Sequence, residues 1–273
     1  MRSATALTFG ASTALLLAAV PLLAQGGPPL LTDDPDTPGP RHWEINLSMF
    51  RERMSHERRT ERPRIDANYG VCRSIQLKLE APWVARTTGD SGRASGIGDT
   101  TLGVKWRFLG QEHRILAWSV YPQYEFSTSP ASVRKGLAED GHALLLPTEL
   151  TVELGHFEFT AEIGRNFVSE GPSEWVYGVA TEAAVAKRLE VLGEVHGVSP
   201  HGAETELIVN GGLRGKLSRQ LTVMLAVGHA VHGSAEDRPR LLVYAGLQFN
   251  LPDAFDFDAG SRGARAARAR LSP

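Results

Sequence analysis

Glutamate recurs along the middle of this chain at even spacings. Glu149 and Glu153, Glu158 and Glu162, and Glu190 and Glu194 are each four residues apart, and Glu182 and Glu206 lie in similar runs. Lys78, Lys105, Arg107 and Arg214 interleave with them, and His196 follows two residues after Glu194. Carboxylates mixed with bases can move protons, hold metals or line a path for ions. His196 and Glu194 have the residue types of an acid/base pair. Residues i and i+2 on a strand always share a face, however, so alternation alone produces that pairing. Asp33, Asp34 and Asp36 carry oxygen ligands suited to calcium, but three acids among prolines read more simply as a solvated segment. No G-x-S-x-G, H-E-x-x-H, C-x-x-C or P-loop pattern occurs. The sequence thus offers no catalytic, cofactor-binding or metal-ligating residue, and no enzyme is expected. The charges read as the lining of a pore.

The elements that carry these charges are strands. From His142 to Val168 the chain reads HALLLPTELTVELGHFEFTAEIGRNFV. Leu144, Leu146, Thr148, Leu150, Val152 and Leu154 share one phase, while Ala143, Leu145, Pro147, Glu149, Thr151 and Glu153 share the other. After Gly155 and His156, Phe157, Phe159, Ala161, Ile163 and Phe167 alternate with Glu158, Thr160, Glu162 and Asn166. Period two gives a strand with one apolar and one polar face. A Gly break this short folds the two runs into an antiparallel hairpin. Each run is longer than the roughly five or six residues usual in soluble sheets. It meets the roughly nine to eleven tilted residues that cross a bilayer.

The same rhythm predicts strands at 42–54, 62–70, 74–85, 98–109, 114–127, 142–154, 156–168, 174–187, 189–199, 204–215, 220–230 and 240–250. That is about twelve, an even number, as bacterial outer-membrane barrels require. Connections after the even strands are short: Val71 to Arg73, Gly110 to His113, Gly155, Arg188, and Ser218-Arg219. Those after the odd strands are mostly longer, including Ser55 to Glu61, Arg86 to Ile97, Ser129 to Gly141 and Val231 to Pro239. Short turns on one rim and long loops on the other are the outer-membrane asymmetry. The expected fold is all-β, a single antiparallel up-and-down transmembrane barrel over 42–250.

The polar phase then predicts a lumen lined by Glu149, Glu153, Glu158, Glu162, Glu182, Glu190, Glu194, Glu206, His196, Lys78, Lys105, Arg107 and Arg214, with Glu44, Glu80 and Glu125 added. Carboxylates outnumber cations in this set, which favours cations or neutral solutes over anions. The apolar phase predicts two aromatic girdles. Trp43, Trp106, Phe108, Phe157 and Phe249 fall near the short-turn rim, and Trp83, Phe126, Phe167, Trp175 and Tyr177 near the long-loop rim.

The ends and the composition agree with export. Arg2, then an apolar run from Ala11 to Leu23, then Ala24-Gln25, read as a signal peptide over 1–24. Residues 25–41 are rich in Pro, Gly and Asp and read as a periplasmic segment, whose Thr32 to Pro38 portion is placed to fold back as a plug or latch. Residues 251–273, with Arg262, Arg265, Arg268 and Arg270, read as a basic, disordered tail. The net charge of −2 gives no basic field for nucleic acid. Cys72 is the only cysteine, so no internal disulfide forms. A mean hydropathy of −0.19 excludes a helical membrane bundle but not a barrel.

Two stretches carry a family likeness. PPLLTDDPDTPGPRHWE (Pro28 to Glu44) and GIGDTTLGVKWRFL (Gly96 to Leu109) resemble signatures of an outer-membrane family named for the meta-pathway of phenol degradation and often labelled simply transporter. The matching positions include T-D-D-P before H-W-E, and Gly98, Asp99, Leu102, Gly103, Lys105, Arg107 and Phe108. The resemblance implies an outer-membrane barrel that moves small, aromatic or hydrophobic compounds, and it brings no binding residues with it. The expected partners are the lipid bilayer, a small solute and, by class, the barrel-assembly machinery. The alternatives are a closed-lumen structural or assembly barrel, a lipid-modifying barrel enzyme, and a soluble periplasmic sandwich.

Overall fold

Alternation turns into strand throughout the computed structural model, which describes residues 27–89, 92–110, 115–234 and 238–252. In chain order the elements are β1 (His42–Arg53), β2 (Glu57–Gly70), β3 (Ile75–Thr88), β4 (Arg93–Ile97), β5 (Asp99–Leu109), β6 (Leu116–Val120), β7 (Gln123–Ser127), α1 (Pro130–Arg134), β8 (His142–Leu154), β9 (Phe157–Val168), β10 (Glu174–Ala186), β11 (Leu189–Pro200), β12 (Glu206–Lys216), β13 (Leu221–His232) and β14 (Leu241–Pro252). The expected signal peptide, and the tail beyond Pro252, lie outside the described residues.

Two of these breaks are local. β4 and β5 both pair with β3, and β6 and β7 both pair with β8, so each couple is one physical strand. The first is interrupted at Gly98, where a Cβ would stand 2.6 Å from Val84 Cγ2 and 2.9 Å from Pro82 Cγ. The second is interrupted at Tyr121-Pro122, because Pro122 has no N–H to give the ladder. Counted this way the barrel has twelve strands, all antiparallel. It closes where β1 meets β14, from His42 opposite Pro252 to Arg53 opposite Leu241.

The packing is inverted relative to a soluble sandwich. More polar than apolar residues are buried, while Leu47, Leu79, Val104, Leu146, Ile163, Leu213 and Leu225 are exposed on the outside. Soluble proteins bury such residues. A barrel with an apolar exterior and a polar interior is the membrane-spanning arrangement.

Two details differ from the sequence-based expectation. β2 begins at Glu57 and β3 ends at Thr88, so the hairpin joining β1 to β2 shrinks to residues 54–56 and the next connection to 89–92. Antiparallel ladders are held by backbone bonds and do not need apolar side chains, so they continue through Arg58, Arg59 and Arg86 above the apolar belt. The connection 128–141 also contains α1, opened by Ser129, whose Oγ accepts the Ser132 N–H at 3.3 Å, and by Pro130 in the first turn. This connection folds into the barrel mouth. Leu137 and Ser132 are buried beside Gly96, Arg59 Nη2 donates to Leu137 O at 3.2 Å, and Asp99 accepts the Glu139 N–H at 3.0 Å.

Candidate functional site

The interior is built around the segment that precedes β1. Residues 25–41 read as periplasmic from the sequence. The described part, 27–41, folds back as expected of Thr32 to Pro38, but into the barrel: Leu30, Thr32 and Asp34 are buried there, while Pro40 and Arg41 at the β1 end are exposed. A chain without regular structure must find partners for its backbone groups, and here the wall supplies them. Glu194 Oε1 and Oε2 accept the N–H groups of Leu31 and Thr32, each at 2.8 Å. Glu162 Oε2 accepts the Asp33 N–H at 2.8 Å, and Arg214 Nη2 donates to Pro28 O at 3.1 Å. Leu30 packs on Ala180 and Leu192 from the inner faces of β10 and β11.

The acids of the segment find cations. Lys105 Nζ lies 2.9 Å from Asp33 Oδ1 and 3.8 Å from Glu149 Oε2, and it also donates to the Asp34 carbonyl. The Lys105 side chain is 3% exposed and Glu149 is fully buried. Arg107 Nη1 pairs with Asp36 Oδ1 at 2.6 Å. Burial alone would raise the Asp33 carboxyl, but Lys105 and Lys78 outweigh it and hold it below the ordinary value. For Asp34 burial dominates, with Asp36 and Asp33 adding to it, and the carboxyl is pushed up to about 8. Burial also raises Asp36 against the pull of Arg107.

Gly178 makes the fit possible. A Cβ there would stand 2.2 Å from Thr32 Oγ1 and 3.2 Å from His196 Nδ1. Gly178 sits opposite Glu162 and His196 on the flanking strands. The segment therefore rests where the wall has no side chain.

Other ion pairs brace the wall. Arg214 binds Glu182 at 2.8 Å and Glu190 at 3.5 Å, and Lys216 binds Glu190 at 2.9 Å. On the opposite side Arg64 and Lys78 share Glu80, at 2.7 and 3.1 Å. Between the segment and the mouth a cavity of about 310 Å³ remains. Its lining mixes apolar residues (Leu31, Phe50, Ala143, Leu145, Val176 and Tyr244) with charged ones (Arg64, Asp66, Lys78, Glu80 and Glu162).

The residues singled out from the sequence fall as follows. Glu149, Glu158, Glu162, Glu182, Glu190, Glu194, His196, Lys105, Arg214 and Glu44 are buried, and Lys78, Glu80 and Arg107 are largely so. Glu125 lines the cavity. Glu153 lies opposite Glu158 near the β8–β9 turn and is exposed, and Glu206 is half-buried at the start of β12. Trp83, Trp106, Phe108, Phe157, Phe167 and Trp175 are exposed, and Trp43, Phe126, Tyr177 and Phe249 are half-buried on the same outward phase. Neighbouring rings cluster, Trp43 with Tyr69 at 4.8 Å and Phe108 with Trp118 at 5.3 Å. Sequence reasoning missed Tyr121, over whose ring Lys105 Nζ sits at 4.4 Å, and Gln76, which donates to Asn68 at 2.7 Å. It also missed Asp33 and Asp36 as partners of Lys105 and Arg107, since spacing within one strand says nothing of a segment laid across several.

The fold is similar to an outer membrane channel from Pseudomonas putida F1, 9% identical with a TM-score of 0.69, the match spanning 81% of this chain and 100% of that one. It is similar also to the NanC porin, 9% identical with a TM-score of 0.57 over 76% of this chain and 100% of that one. The KdgM porin, solved with disordered oligogalacturonate, is 10% identical with a TM-score of 0.53 over 75% and 98%. At such identities the likeness is one of fold. No curated protein matches the chain. Residues 28–263 match a family sequence profile from the interior segment through the whole barrel, and the chain belongs to the family described as "Putative MetA-pathway of phenol degradation".

Proposed function

We propose that this protein is an outer-membrane channel for small solutes whose lumen is closed by its own N-terminal segment, residues 27–40. The observation that carries the proposal is the pairing of Leu31, Thr32 and Asp33 with Glu194, Glu162 and Lys105, which holds the segment across the lumen. The solute chamber is the 310 Å³ cavity above it. That volume lies at the small end of the roughly 300–1,000 Å³ range of ligand sites. A small chamber lined by both apolar and charged side chains suits a compact amphipathic molecule, such as a ring bearing a hydroxyl. The family description points to the same chemistry. The lumen-facing and girdle residues above are proposed in those roles, with the lipid bilayer as surroundings.

Deleting residues 28–40 should raise single-channel conductance in a planar bilayer and speed entry of phenol-sized solutes into liposomes. Unchanged conductance would remove the segment as the closure. The second reading, a sealed barrel with a structural role, is favoured by the buried ion pairs of Lys105 and Arg214. It predicts that the truncated barrel stays silent as well.

A further inference from the structure

The outer surface of β1 and β2 carries a charge pattern that the channel reading does not use. Alternation along β1 turns Arg51 and Arg53 outward, because Phe50 and Glu52 between and beside them face inward. On β2, Arg58 lies directly opposite Arg53, and Arg62 is exposed at the irregularity facing Met49. Arg51 Nε–H donates to Thr60 Oγ1 at 3.4 Å, which keeps its guanidinium on this outer face. Among the described residues no carboxylate forms an ion pair with any of the four. Like charges directly opposite on neighbouring strands are destabilising. Two arginines retained in that relation call for an anion from outside the chain.

What lies beneath the patch says which anion. Below the arginines, toward the middle of the apolar belt, Leu47 faces Leu247 on one side and Ile65 on the other, and all three are exposed. Trp83, half exposed, stands beside Arg62 at the boundary between the charged and apolar levels. The patch sits on the rim that bears the α1 connection, the outer one in the proposed orientation. We infer that this face binds the phosphorylated, multiply acylated glycolipid of the outer leaflet, lipid A, its phosphates on the arginines and its acyl chains along Leu47, Ile65 and Leu247. Arginine suits this ligand because its planar fork pairs with phosphate oxygens bidentately.

The inference rests on the outer-membrane reading. The test uses the full barrel in detergent, with bound lipid counted by native mass spectrometry. The probes are diphosphoryl lipid A, dephosphorylated lipid A and phosphatidylglycerol. The expected result is tight binding of diphosphoryl lipid A alone, weakened at least about tenfold in R51Q/R53Q/R58Q/R62Q. The corresponding lysine variant should recover part of it, and R188Q, on the opposite rim, should match the parent. Heat-modifiable gel mobility verifies that each variant is folded. Binding unchanged in the folded glutamine variant, or equal binding of phosphatidylglycerol or dephosphorylated lipid A, would overturn the inference. Failure of the outer-membrane reading shows differently, as recovery of the protein outside the outer-membrane fraction.

Discussion

At the scale of single residues, the interior depends on a few side chains that each serve two structures. Lys105 belongs to β5 yet answers carboxylates from the N-terminal segment and from β8. Removing one partner of a buried pair costs about 3–5 kcal/mol, because the remaining charge is left without compensation. The strands keep their backbone ladders, so Lys105→Met should spend that cost in releasing the segment. The measurement is open probability in a planar bilayer, expected to rise sharply, with Lys105→Arg intermediate. Gly178 gives a sharper test. Gly178→Ala places a methyl 2.2 Å from Thr32 Oγ1 and should open the channel. Adding Thr32→Ala removes the clashing oxygen and should restore closure. A double variant as open as Gly178→Ala would show that the contact is irrelevant.

At the scale of the element, the segment's own acids make its docking depend on pH. Asp34 is pushed up to about 8, so the docked segment prefers it protonated, and this contribution fades as pH rises toward that value. Asp33 is held low, so its contribution is present above the ordinary carboxylate range and fades on acidification. Conductance should therefore climb as pH rises from the ordinary carboxylate range toward about 8 and level off above it, and Asp34→Asn should abolish that climb. A parent channel whose conductance stays flat between the ordinary carboxylate range and about pH 8 would count against the docked geometry. The strands around the segment were legible in the sequence because a half-buried strand writes its two faces into alternate residues. β8 and β9 are the plainest case, with the boundaries His142–Leu154 and Phe157–Val168 close to those expected. The ends of β2 and β3 were not legible, since backbone pairing there continues without any apolar signal. The position of T-D-D-P before β1 marked it to fold back as a plug, but its partners were not legible. Those partners, Lys105, Glu162 and Glu194, lie on three separate strands, and only closure of the barrel brings them within reach.

At the scale of the whole molecule, the interior carries more acid than base, counting Glu44, Asp66, Glu80, Glu149, Glu158, Glu162, Glu182, Glu190 and Glu194 against Arg64, Lys78, Lys105, Arg107, Arg214 and Lys216. A narrow pore with that balance should select cations. The barrel lacking residues 28–40 should thus show a reversal potential on the cation side in a salt gradient, and Glu80→Gln/Glu162→Gln should reduce it. Anion selectivity would mean that the carboxylates are neutral or fully engaged.

The closing segment runs without a break into β1 through Arg41, whose N–H bonds Gly70 O at 2.6 Å. It is therefore a ligand that never leaves the neighbourhood of its receptor. A short leash of this kind keeps its cargo at an effective concentration on the order of millimolar. A solute then gains entry by competing with a resident that cannot be diluted away. A free peptide of residues 28–40 should match the closure given by the tethered segment only when supplied at about that same concentration.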